Sequence, residues 1–501
     1  MSFLISKPHL AVSKTKQAYI PLALILSATF SVPVFSATSI TVSSLAELAA
    51  VADDSDQIVT MTPGVYYMSN YFTGSVVSDN LAQAAVSGAA RFIEFSGSDN
   101  IFNMNGVEIV VDTALMWDLG PEKSSELLLT GSQITINDLA IRDEIVNSTY
   151  TVWSAERLEY VTGNAPQAGL NTFDIRGTGN TLTGVDITTY GGTPYGVGDF
   201  CGKGADSNMF GADLRKHSSV RIYQATDVTI DNLTIDQHSF GHAIHMHESV
   251  NTTIKNSYLE ASLRGADDMK NDISGCLYDQ NFKSVWTNAV VPDGQMKSLS
   301  EDGIRTYGGS GSVTVDNVHI KNYRSCFNVV ATKDAVINGG RAENCERGIY
   351  AAKNVQIGQT TPVEVDAKYG NALIVDGGYP EIDILLHGDE SASHGTGNVA
   401  IIWAKGGNIK INRYNNEQRT IMAKIRVGST FENCFTSGWT KSCVAQPFDW
   451  VTDSSVAKNF SIEAKVGTTI RLTGVTENIT ATTEVGTTIS DNGSGNTSIF
   501  E

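Results

Sequence analysis

Short runs of alternating apolar and polar residues recur along the chain, each interrupted by Asn, Asp or Gly. They read "NMNGVEI" from Asn103, "TINDLAI" from Thr135, "TLTGVDI" from Thr181 and "TIDNLTI" from Thr229. "TIKNSYL" from Thr253, "TVDNVHI" from Thr314 and "VINGGRA" from Val336 continue the series. Alternation with period two predicts short strands with one buried face. The first apolar anchors are Met104, Ile136, Leu182, Ile230, Ile254, Val315 and Ile337, separated by 32, 46, 48, 24, 61 and 22 residues. The gaps of 22 and 24 suggest one structural unit, those of 46 and 48 two units, and those of 32 and 61 units carrying insertions. A unit of about 23 residues is too short for the common helical repeats and suits one coil of a parallel β-solenoid, with equivalent residues stacked about 4.8 Å apart. Asn at each turn tolerates left-handed dihedrals and can hydrogen-bond along the stack.

Upstream lies "SSLAELAAVADDSDQIVTMTPGVYYM". Ser43 or Ser44 can cap a short amphipathic helix with Leu45, Leu48 and Val51 on one face. "QIVTM" then reads as a strand, and "PGVYY" as a turn into another. With the repeat, this opening resembles the secreted pectate-lyase-like β-helix proteins, many of which begin with such a helix and a G-x-Y turn. The resemblance covers most of residues 39–360. It implies an all-β fold, a single-stranded right-handed parallel β-helix with an N-terminal capping helix. From about residue 360 the strand-like pieces "NVAIIWAKGGNIKINRY" and "NFSIEAKVGTTIRLTGV" suggest irregular further coils and a C-terminal cap.

Composition adds a compartment. Lys7, Lys14 and Lys16 precede the apolar "AYIPLALILSATFSVPVF", and small residues follow, so residues 1–36 read as a signal peptide and 37–501 as the β-helix domain. No later segment is long and apolar enough to span a membrane, so the expectation is a secreted or periplasmic monomer. Removing the three leader lysines from 35 basic residues leaves 32 against 54 acidic ones, a net charge of −22. That surface argues against nucleic acid as a partner. Six cysteines (201, 276, 326, 345, 434 and 443) in an exported chain suggest disulfides, with Cys434 and Cys443 close enough to staple one loop. None has the spacing of a zinc site.

The candidate chemistry starts from "GHAIHMH", Gly241 to His247. Aligning residues 243–247, 303–307 and 348–352 as successive rungs stacks Ile244, Ile304 and Ile349 inside, with Met246, Thr306 and Ala351. Alternation then turns His245, His247, Arg305 and Tyr307 outward on one face. If Met269 of "RGADDMKND" stacks on Met246, Asp268 lies beside His245 and Lys270 beside His247, with Arg264 and Glu301 at the edge. His217 and His319 have no partner that sequence can supply.

Such a patch suits β-elimination on an anionic, uronic-acid-containing polysaccharide. Arg305 would neutralise the sugar carboxylate. Lys270, His245 or His247 would serve as base, and Tyr307 would donate a proton. His247, Arg264, Asp268 and Glu301 would bind substrate. The family resemblance implies a Lys or Arg base, and some such lyases bind calcium through acidic side chains, so calcium is the one cofactor the resemblance suggests and none is assigned. Two other readings compete. Paired carboxylates among Asp267, Asp268, Glu301 and Asp302 would suit a polygalacturonase-like glycoside hydrolase. A non-catalytic carbohydrate-binding β-helix would use the same face without chemistry. A metal held by His245, His247 and Asp268 lacks a supporting signature, so no metal site is assigned.

Overall fold

Ile136, Leu182, Ile230, Ile254, Val315, Ile337 and Ile357 stack in register on adjacent parallel strands. All are completely buried, and each contributes about 1.5–3 kcal/mol by leaving water. This column runs along the lumen of a right-handed parallel β-helix. A computed structural model describes residues 37–119, 123–144, 170–191, 216–273, 293–332, 334–366, 368–387, 399–414, 423–427, 432–437, 440–445, 457–465, 468–472, 476–483 and 487–501. The leader expected at 1–36, Cys201 and Cys276 lie outside these residues.

Each coil contributes two short strands to a wide sheet and one strand to a narrow sheet. Among the described residues these sheets hold 22 and 13 strands, paired in parallel along the axis. Between the two wide-sheet strands the chain turns on a left-handed residue: Asp138, Gly184, Asn232, Asn256, Asn317 or Gly339, with φ of +57°, +64°, +55°, +51°, +52° and +58°. Asn and Asp tolerate this conformation better than other residues with a Cβ. Their side chains also bridge coils: Asn317 Nδ2 donates to Asn256 Oδ1 (3.2 Å), and Asn256 Nδ2 to Asp231 Oδ1 (2.9 Å).

The register corrects the repeat arithmetic. Ile136 pairs directly with Leu182, and Leu182 with Ile230, so the gaps of 46 and 48 are single coils with insertions, not doubled units. Phe102, rather than Met104, is the rung before Ile136, because the strand shifts register between Asn103 and Val107. A further rung, Ser325–Val329, lies between those of Ile304 and Ile349, so the rungs at 303–307 and 348–352 are not neighbours.

The expected capping helix spans Leu45–Val51. Ser44 is its N-cap and accepts the Glu47 N–H, while Leu45 and Leu48 face the core. Downstream of residue 360 the same coils continue through Ala400–Trp403, Gly407–Arg413, Phe460–Lys465 and Thr468–Leu472. A disulfide joins Cys326 to Cys345, and Cys434 lies opposite Cys443 in an antiparallel ladder. No described helix is long and apolar enough to cross a membrane.

Candidate functional site

On the narrow sheet, Arg221, His245, Arg305, Asn328 and Tyr350 occupy equivalent positions on five successive strands. The apolar residues that flank this column (Val220, Ile222, Ile244, Met246 and Ile304) fill the lumen. Alternation therefore presents the polar column outward, and places Tyr223 and His247 in the neighbouring column.

Tyr307 is the hub. Its ring stacks on His247 at 4.1 Å with planes 10° apart, and the Arg305 guanidinium lies 4.8 Å from its centroid. Its hydroxyl lies 2.8 Å from His242 Nε2. His242 sits at the strand entrance. Its Nδ1 accepts the Asp302 N–H (3.2 Å), so in the neutral ring Nε2 carries the proton. That N–H points at the Tyr307 oxygen and at Glu301 Oε2, 3.2 Å away. With its oxygen accepting from His242, Tyr307 keeps its own proton for another acceptor.

Two carboxylates underlie this cluster. Glu301 meets Lys216 at 2.8 Å and Arg324 at 3.3 Å. Asp302 lies 3.5 Å from Arg324 and 3.8 Å from both Arg347 and Arg305, and accepts from Asn328 Nδ2. Burial opposes ionisation of Glu301, but His242, Arg324 and Lys216 hold its pKa down to about 2. Asp302 is likewise buried, yet Arg324, His242, Arg305 and Arg347 keep it far below the usual carboxylate range. The imidazoles are lowered too, which keeps them neutral, and only the phenol is raised. Burial, resisted by Glu301 and Asp302, brings His242 down to about 4. Burial, with Arg221 and Lys123, brings His247 to about 4, and burial with its neighbouring histidines holds His245 well below the ordinary imidazole range. Burial and Glu301 push Tyr307 up to about 12. Near neutral pH the cluster thus offers neutral imidazoles, a protonated phenol and locked carboxylates.

A groove of about 930 Å³ opens beside it, lined by Arg305, Tyr307, Asp334, Lys353, Asp376 and Tyr379 among others. Burial raises the Asp376 carboxyl to about 7.

The structure brings together six of the sequence candidates: His245, His247, Arg305, Tyr307, Glu301 and Asp302. It corrects the placement of Arg264, Asp268 and Lys270. His245 pairs directly with Arg305, so no rung lies between them. Residues Leu263–Gly265 instead pair antiparallel with Met296–Ser298, and Ala266–Asn271 form a short helix. Ala266 and Met269 form its buried face, and Asp267 and Asp268 in the first turn with Lys270 in the last suit the helix dipole. Lys270 pairs with Asp293 at 2.6 Å, and Arg264 with Asp272 at 2.8 Å. Without Asp268, the metal set imagined for His245 and His247 is incomplete. His319, unassigned from sequence, pairs with Glu343 at 3.0 Å.

Sequence reasoning missed the role of His242 and the contributions of Lys216, Arg324 and Arg347. A better alignment that included "YRSCFNV" would have put Arg324 and Arg347 in neighbouring rungs.

No family model and no curated protein matches the chain. Among solved structures, it is similar to endo-xylogalacturonan hydrolase from Aspergillus tubingensis, with 10% identity, TM-score 0.37 and 92% of each chain covered. It is also similar to PfbA, a surface adhesin of Streptococcus pneumoniae, with 12% identity, TM-score 0.33, and 87% of this chain and 83% of the other covered.

Proposed function

We propose that the protein is an exported polysaccharide lyase that cleaves a uronic-acid-containing polymer by β-elimination. The observation that carries this reading is the Tyr307 hub, a protonated phenol with an imidazole against its face and a guanidinium beside it.

Arg305 binds the uronate carboxylate. Its nearest acidic partner, Asp302, is 3.8 Å away and shared with Arg324 and Arg347, so its fork is available to substrate. Neutralising the carboxylate acidifies the adjacent ring proton. His247, more exposed than His245 and neutral near pH 7, removes that proton. The low pKa keeps its lone pair free at some cost in basicity. The electrons form the ring double bond as the glycosidic bond breaks, and Tyr307 delivers its proton to the leaving oxygen. His242 orients the phenol through its 2.8 Å contact.

The carboxylates of the hub suit hydrolysis poorly. A glycosidase needs a protonated carboxyl as acid, and both Glu301 and Asp302 are held ionised. One observation favours hydrolysis elsewhere in the groove: Asp376, at about 7, has the pKa of a general acid. It stands three strands along the sheet from the Arg305 strand, roughly 14 Å at the usual interstrand spacing.

The test is a panel of uronate polysaccharides assayed with and without chelator. A lyase generates an unsaturated product that absorbs in the near ultraviolet. New reducing ends without that absorbance support hydrolysis through Asp376, and retention of uncut polymer supports a binding protein.

A further inference from the structure

Where the wide sheet hands over to the narrow one, the lumen is lined by polar side chains. Most satisfy one another. Ser239 Oγ donates to His217 O (2.8 Å), Tyr323 Oη to Gln237 Oε1 (3.1 Å) and Ser300 Oγ to Ser239 O (2.8 Å). At the N-terminal end of this seam the pattern fails. Glu126, Asp143 and His217 are 0%, 1% and 1% exposed, and one ligand atom from each lies within 4.8 Å of the others.

The donors are pre-oriented but unspent. Both Glu126 oxygens, Asp143 Oδ1 and His217 Nδ1 are buried without a hydrogen-bond partner. The other atoms of the set are already held. Asp143 Oδ2 accepts the N–H groups of Tyr190 (2.7 Å) and Gly191 (3.1 Å), and Thr172 Oγ1 sits 3.0 Å from His217 Nε2. A hydroxyl holding Nε2 while Nδ1 faces the Asp143 carboxylate at 3.3 Å is an outer-shell arrangement that aims a histidine at a metal beside that carboxylate. Among the described residues, Glu126 has no lysine or arginine in ion-pair range; its one basic neighbour is His217, at 3.4 Å. Two buried carboxylates that share a single imidazole are costly.

We propose that Glu126, Asp143 and His217 form a structural site for a divalent transition metal, enclosed inside the coil and separate from the Tyr307 hub. One imidazole nitrogen and two carboxylates suit zinc or manganese. A +2 charge neutralises both carboxylates at once. Because the three residues come from three strands (Lys123–Leu129, Thr135–Glu144 and His217–Tyr223), the ion would tie the wide sheet to the narrow one. It would enter as the coil closes, so its binding is part of folding. The protein-only alternative is a shared proton: burial and Asp143 push the Glu126 carboxyl well above its ordinary range.

The experiment uses the full chain without an affinity tag, unfolded with chelator and refolded with Zn2+, Mn2+ or no metal. Expected are about one ion per chain by elemental analysis and a melting temperature several degrees higher in the metal-refolded protein. Glu126→Gln and Asp143→Asn should each weaken retention at least tenfold, whereas His247→Ala should keep it. Should those variants fail to fold, wild-type protein refolded with Co2+ gives an independent reading from the visible bands of a nitrogen–oxygen site. Absence of a stoichiometric ion, of a melting shift and of those bands would overturn the proposal in favour of the shared proton. So would loss of the ion in His247→Ala with full retention in Glu126→Gln.

Discussion

His242 Nε2 lies 2.8 Å from the Tyr307 hydroxyl, while its Nδ1 accepts the backbone N–H of Asp302. A backbone amide thus dictates the tautomer of a buried ring, and the ring dictates which way a phenol offers its proton. Tyr307→Phe keeps the stacking on His247 and removes only that proton. Cleavage of a uronate polymer should fall about 10²–10⁴-fold, the usual worth of general acid catalysis. Steady-state kinetics should show the loss in kcat, with KM little changed.

Arg305→Lys keeps the charge and loses the planar fork. If carboxylate recognition is bidentate, kcat/KM should drop at least tenfold, and Arg305→Ala should abolish turnover. Circular dichroism should show both variants folded, because among the described residues the ion-pair partner of Arg305, Asp302, is 3.8 Å away and also held by Arg324 and Arg347. Full activity in Arg305→Ala would remove the site from this face.

The buried histidines set an acid limit. His242 titrates near 4 in the folded chain and near 6.5 when unfolded. Between those values the unfolded chain binds more protons, so stability is fully present above about pH 6.5 and declines toward pH 4. The slope from one such group reaches about 1.4 kcal/mol per pH unit. Glu301, depressed to about 2, adds a second loss between about pH 4.5 and 2. Urea unfolding at stepped pH should show the first decline, and His242→Gln should flatten part of it.

Ile304 stacks between Ile244 and Phe327 and is wholly buried. Ile304→Ala should cost about 2–5 kcal/mol in denaturant unfolding. Gly303→Ala adds only a methyl, but that carbon would meet Ile320 Cγ2 at 2.3 Å and the Cys326 carbonyl at 2.8 Å. It too should destabilise, by overpacking.

Much of the scaffold was legible because the β-helix repeats its physics. Thr229–Ile235 and Thr314–Ile320 each show period-two burial around a left-handed Asn, so similar spellings predicted similar rungs. Insertions hid the coil count: Ile136 and Leu182 are neighbours in space but 46 residues apart. The outward column of His245 and Arg305 followed from alternation alone. Lys270 and Asp268 misled because Met269 falls about one repeat after Met246, a spacing that also suits the buried face of a short helix. Glu126, Asp143 and His217 converge from three strands, and nothing local marks any of them as a partner of the others.

Two of the three corners of the coil differ in how much chain they carry. From Asp138 to Gly339 the corner within the wide sheet keeps a constant length through six coils. Three long stretches, 145–169, 192–215 and 262–300, come in the chain between a wide-sheet strand and a narrow-sheet one, whereas 428–459 comes between a narrow-sheet strand and a wide-sheet one. One corner acts as a ruler, and the other as a port through which sequence can be added without disturbing the stack. The stretch 262–300 ends at Glu301 of the Tyr307 hub, so sequence added there reaches the hub while the rungs beneath stay as they are.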